Sequence, residues 1–116
     1  MEGRAISPIE TAVRIIVDLL VRGQYETATK ATGGMRLTAA ELSGAVSTYG
    51  RRLVPPGDGW WSLVEVTPIT GDVKAYHVTA PLWTLEEGRS DLTLELRLSE
   101  FAPSLYNVEI LDLHVL

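Results

Sequence analysis

The sequence has no cysteine among its 116 residues, which removes disulfides, thiolate nucleophiles and thiolate metal ligands together. It is also short of positive charge. Ten Lys and Arg stand against fifteen Asp and Glu, giving a net charge of −5, and only Arg51 and Arg52 are adjacent. A nonspecific nucleic-acid binder needs a basic face to displace counterions, so no nucleic-acid partner is expected. Long apolar runs are missing as well. The longest, residues 13–21, is interrupted by Arg14 and Asp18, so no membrane span is expected. The opening Met1-Glu2-Gly3-Arg4-Ala5-Ile6-Ser7-Pro8 offers no apolar signal core and no small-residue cleavage site, which points to the cytoplasm. There is no phosphate loop, dinucleotide fingerprint, GxSxG elbow, calcium loop or HExxH pair. No cofactor and no metal are therefore expected.

What is present suits one globular α+β domain. At 46% hydrophobic residues the chain can build a core, and a domain of this size buries roughly 65% of its unfolded surface. We read residues 1–116 as a single domain, helical over 7–50 and sheet over 51–116. Ser7-Pro8-Ile9-Glu10 is a helix start, with a capping Ser, Pro at the first helical position and Glu10 placed to reach back. Ile9, Val13, Ile16, Val17, Leu20 and Val21 then recur at helical spacing, which predicts a helix over 8–22 before Gly23. A short second helix is expected over 24–32, ending at the Gly33-Gly34 doublet. Thr38-Ala39-Ala40-Glu41 is a second capping box, opening a helix with Leu42, Ala45, Val46 and Tyr49 inward and Gly50 at its end.

After Gly50 the hydrophobic period changes to two. Residues 60–68 and 73–83 read as a hairpin about Ile69-Thr70-Gly71-Asp72. Residues 91–98 alternate, with Leu92, Leu94, Leu96 and Leu98 inward and Thr93, Glu95 and Arg97 outward. Residues 106–116 form the last strand. Its faces read Glu109, Leu111, Leu113, Val115 and Val108, Ile110, Asp112, His114, Leu116. Both are largely apolar, so this strand is expected at the centre of the sheet, covered on both sides. Three helices packed on one face of a curved antiparallel sheet of about four strands is the expected architecture.

Element order, and the long first helix running into Gly23-Gln24-Tyr25-Glu26-Thr27-Ala28, resemble the cone-shaped nuclear-transport-factor-2-like and cystatin-like folds. The segments Tyr49-Gly50-Arg51-Arg52-Leu53-Val54-Pro55-Pro56, Leu82-Trp83-Thr84 with Glu86-Glu87-Gly88-Arg89-Ser90-Asp91-Leu92-Thr93-Leu94, and Asp112-Leu113-His114-Val115-Leu116 resemble an uncharacterised family of short bacterial proteins. That resemblance implies a fold and carries no activity.

Few residues can carry chemistry. Asp112 and His114, two apart on one strand, are close enough for the carboxylate to orient the imidazole as a general acid–base pair. The plainer role for both is hydrogen bonding at the sheet end. His77, on another strand, would complete two imidazoles and a carboxylate if all three converged, but nothing in the spacing requires it. Glu86, Glu87, Arg89 and Asp91 lie in a run joining two strands, either a solvated turn with Gly88 at positive φ or a recognition loop beside Trp83. Trp60 and Trp61, adjacent in an expected strand, should point to opposite faces, leaving one to be covered, buried in a dimer or used as a binding anchor.

The leading reading is a small acidic, non-enzymatic binding module, an immunity-type partner protein being one form. It would take a protein partner or a small apolar ligand, or pair with itself as a homodimer. The alternative is a small cone-fold enzyme, an isomerase, cyclase or dehydratase, using His114 and Asp112.

Overall fold

The computed structural model describes residues 6–33, 36–71 and 73–116. Residues 1–5, Gly34 of the glycine doublet and Asp72 of the expected hairpin turn lie outside the described residues. Three helices precede the sheet: α1 (Pro8–Val21), α2 (Tyr25–Ala31) and α3 (Ala39–Tyr49). The Ser7 side chain accepts from the N–H of Glu10 at 3.1 Å, capping α1. The buried carboxylate of Glu10 receives Nε of Arg14 one turn on, at 2.8 Å. At α3 both halves of the capping box form, Thr38 with Glu41, and Gly50 closes the helix at φ 75°, a conformation only glycine adopts cheaply. None of the described helices is long and apolar enough to cross a membrane.

The sheet is antiparallel, as expected, and among the described residues it has five strands: β1 (Leu53–Val54), β2 (Glu65–Ile69), β3 (Ala75–Thr84), β4 (Gly88–Ala102) and β5 (Leu105–Val115). β1 and β2 both pair with β3, which pairs with β4, which pairs with β5. The helices cover one face. There Val13, Ile16, Val17 and Leu20 of α1 and Leu42 of α3 meet Val78, Ala80 and Leu82 of β3, Leu92, Leu94, Leu96 and Leu98 of β4, and Ile110 and Leu113 of β5. Each fully buried Leu or Val of this layer contributes on the order of 1.5–3 kcal/mol. The leucine alternation predicted for β4 holds along its middle, all four being at most 1% exposed.

Three expectations are corrected. Residues 60–63 are not strand but a 3-10 turn, entered through Gly59 at φ 80°. The indole N–H of Trp60 is the reason: it donates to the carbonyl of Pro81 at 2.8 Å from a buried site, which a strand in the expected place would not allow. Trp60 and Trp61 consequently do not face opposite ways. Their rings lie 5.8 Å apart, Trp60 in the core with the Arg14 guanidinium 4.9 Å over its ring, Trp61 half-buried against that core. Neither is a free anchor.

The second correction is that β5 lies at the edge of the sheet rather than its centre. The third explains why its two faces looked apolar. Leu96 faces Ile110, but the next residue, Glu95, faces Asp112, so Leu111 is an extra residue, a β-bulge. Before the bulge Val108 and Ile110 point to the helices; after it Leu113 and Val115 do. The alternation slips by one, and Asp112 and His114 turn to the open face with Glu109. Without the slip Asp112 would stand opposite Leu94, and burying an unpaired carboxylate costs several kcal/mol.

Candidate functional site

The open face of the sheet carries a row of ionisable residues across three strands. β4 supplies Glu95, which alternates with the buried leucines and so points away from the helices. His77 of β3 and His114 of β5 are its diagonal neighbours, since Thr79 and Asp112 stand directly opposite it and His77 and His114 two residues further along each strand. Diagonal neighbours on one sheet face are within reach of long side chains. Nε2 of His77 donates to Oε1 of Glu95 at 2.9 Å, and Nε2 of His114 donates to Oε2. An ionised carboxylate only accepts, which fixes the direction of both bonds.

These contacts set the charges. The hydrogen bond from His114 holds the Glu95 carboxyl below its ordinary value against an opposing contribution from burial, and His77 adds to the lowering. The bond to Glu95 raises the His114 imidazole, burial opposes that, and Asp112 contributes by its charge. Side-chain exposure of 27% for Glu95 and 33% for His114 keeps the row wet, so water screens these interactions.

The carboxylate expected to orient His114 was Asp112, and the residue that holds it is Glu95. Asp112 is exposed, and its Oδ1 accepts from the backbone N–H of Leu113 at 2.9 Å. His77, for which nothing in the spacing required convergence, does join the row. Glu95 was missed because it reads as an ordinary outward residue. A signal for it existed: Thr84 pairs with Gly88, and counting back equally from that turn sets His77 opposite Glu95. The irregularity between Pro81 and Trp83 moves the pair to a diagonal but keeps both on one face.

Glu86, Glu87 and Trp83 have structural partners. Glu86 accepts from the N–H of Arg52 at 3.0 Å, and that bond holds its carboxyl below the usual value. Glu87 takes the Tyr49 hydroxyl at 2.8 Å and the Thr84 hydroxyl at 3.0 Å, tying the β3–β4 turn to α3. Burial, then the bond to Glu87, raises the Tyr49 phenol. Gly88 has φ 72° as expected, while Arg89 and Asp91 belong to β4 and are exposed. Trp83 packs beneath the turns: a Cβ on Gly57 would stand 3.2 Å from its Nε1, and one on Gly88 3.8 Å.

Two grooves flank β5 on the helix side. One, of about 390 Å³, lies between α3 and the end of the strand, lined by Gly44, Ala45, Thr48, Tyr49, Leu92, Leu113, His114 and Val115. The other, of about 370 Å³, lies between α1 and its beginning, with Ile6, Ala12, Ile15 and Leu105 among its walls. Ile6, Ile15, Leu105 and Val115 are each more than half exposed.

A family model described as a domain of unknown function, DUF7668, matches residues 17–116. The chain belongs to this family. The match begins inside α1 and runs to the end of β5, so it takes in the whole sheet, the His77–Glu95–His114 row and the groove between α3 and β5, while the α1 wall of the other groove precedes it. No curated protein matches the chain, and no solved structure does.

Proposed function

We propose that the domain is a non-enzymatic protein-interaction module that accepts an extended segment of a partner along β5. The single observation that carries this is an eleven-residue edge strand with an apolar groove at each end on the helix side. An edge strand presents unpaired backbone N–H and C=O groups to a partner strand, and neighbouring pockets then select every second side chain. Tyr106 and Leu113, one in each groove, face Glu100 and Leu94, six residues apart on β4, so they stand roughly 20 Å apart at about 3.3 Å per residue. The fitting partner therefore carries apolar side chains about six residues apart on one face. Its other face would meet Glu109 and Asp112 of a chain with net charge −5, which favours lysine and arginine there. A second copy would bring a further acidic strand to the same edge, so a basic partner is preferred over a homodimer. We also read the domain as a bacterial, cone-type fold working in the cytoplasm, on the sequence resemblance and the absence of cysteine.

The enzyme alternative asks for an imidazole at the floor of a cavity with Asp112 as its orienter. His114 does border the groove beside α3, but its Nε2 is engaged by Glu95 rather than oriented by Asp112, which favours the binding reading over it.

The test is binding of a synthetic ten-residue peptide of alternating valine and lysine against a scramble of the same composition. Binding in the micromolar range, lost in the scramble and weakened at least tenfold by Leu105→Lys with Val115→Lys, is expected. Equal binding of the two peptides would reduce the interaction to charge attraction and overturn the proposal. Self-association detected by sedimentation, unaffected by the peptide, would assign the edge to a second copy instead.

A further inference from the structure

The bulge at Leu111 does more than keep Asp112 out of the core. It sets Asp112 directly opposite Glu95 and His114 on the diagonal, so that one donor atom from each, an imidazole nitrogen and two carboxylate oxygens, lies within 4.8 Å of the others. Like charges directly opposite on neighbouring strands repel. A cation between them reverses the sign of that interaction.

The remaining atoms of the three side chains are held by the scaffold. Glu95 gives Oε1 to Nε2 of His77 at 2.9 Å, leaving Oε2 turned toward His114. Asp112 gives Oδ1 to the Leu113 N–H at 2.9 Å, and its other oxygen is free to swing. Nδ1 of His114 faces the carbonyl of Val115 at 3.5 Å, the contact that presents Nε2 of an imidazole to a metal. Ligated carboxylates and imidazoles in metal centres carry outer partners of this kind.

We propose that Glu95, Asp112 and His114 form a three-ligand site for a divalent first-row transition metal, zinc being the representative ion, with His77 as the outer partner that positions Glu95. Ligand bonds of about 2.0–2.2 Å need the donors to draw together around the ion. Glu95 and His114 already touch, and exposed Asp112 is the side chain that closes. Nitrogen with two oxygens and no sulfur suits zinc, cobalt or nickel. Calcium, which takes six to eight oxygens, is poorly served. The sheet is open to solvent above the row, so water completes the coordination shell. Because Asp112 would also meet a partner on β5, the site is tested on the chain alone, where its failure leaves the reading of β5 untouched.

The experiment is a titration of the full chain, free of any affinity tag, with Co²⁺, followed by its visible spectrum and by displacement with Zn²⁺. One equivalent per chain is expected, with a band distinct from aqueous cobalt that Zn²⁺ abolishes. Glu95→Gln and His114→Ala should each weaken binding by about 100-fold, and His77→Ala by about 10–100-fold, the range for outer-layer partners. Asp112→Asn should weaken it at least tenfold. Asp112 is exposed and this change keeps its size, so lost binding there cannot be confused with lost folding. Absence of the band in the wild-type chain overturns the proposal. So does binding by Asp112→Asn and Glu95→Gln equal to the wild type, since other carboxylates would then be the ligands.

Discussion

β4 and β5 are neighbours in one sheet, yet one can be read from sequence and the other cannot. In β4 Leu92, Leu94, Leu96 and Leu98 are buried as their alternation predicts and Glu95 and Arg97 are half-buried on the other face, while Thr93, read as outward, is buried opposite His114. A strand with partners on both edges has its register held by two ladders, and a one-residue slip would turn four leucines outward. β5 is held on one edge only, where inserting a residue costs little and re-aims the side chains beyond it. The strand that is hard to read is also the one that carries Asp112, His114 and the free edge. Its irregularity and its chemistry have the same cause.

That contrast can be broken most forcefully in the core. Leu94→Ala should cost about 2–5 kcal/mol, the range for deleting a buried leucine side chain. Leu111→Ala, at the half-buried bulge, should cost less than about 1 kcal/mol. Chemical denaturation midpoints at constant slope give both numbers. Similar costs at the two positions would mean that β5 is packed as tightly as β4.

Deleting Leu111 outright is the sharper version. With the extra residue gone, Ile110 still faces Leu96 and Asp112 still faces Glu95, now in regular alternation, so the deletion should cost less than about 1 kcal/mol by the same denaturation midpoints. A loss of several kcal/mol, the range for turning a carboxylate into the core, would mean that Leu111 is not the extra residue.

The smallest effect expected is one of pH, and it concerns the metal-free chain. The His114 imidazole is raised from its ordinary value of 6.5, so its contribution is complete below that value and lost as pH rises through the folded value. The Glu95 carboxyl is lowered from 4.5, so its contribution is complete above that value and lost as pH falls through the folded one. The pair therefore stabilises most between 4.5 and 6.5. Because water reaches both groups, the gain is about 1 kcal/mol or less. Thermal unfolding of the wild type against Glu95→Gln across that range checks it, and a difference that grows above neutral pH would carry the wrong sign.

How much of the molecule was legible follows from the same physics. Local signals were sufficient where the structure is local: Ser7, the Thr38–Glu41 box and Gly50 mark their helices because a cap involves residues within one turn. The Trp60–Trp61 turn was not legible, because its cause is a bond from Trp60 to Pro81, twenty-one residues away. The edge position of β5 was obscured by reading Ile110 with Asp112 on one face, which a single extra residue forbids. His77 and His114, two of the three residues of the polar row, were named from sequence. Glu95, its centre, is invisible to any reading that takes one strand at a time, since what distinguishes it from other outward glutamates is the pair of histidines on the flanking strands.

The claim that joins these observations is that β5 is a free edge built to receive another strand. Residue-resolved amide hydrogen exchange of the chain, alone and with the alternating valine–lysine peptide, tests it most directly. The account predicts that amides of residues 105–115 alternate between protected and fast-exchanging in the free chain, and that the fast ones become protected when peptide binds. Uniform protection along β5 in the free chain, or peptide binding that leaves its fast amides fast, would contradict it.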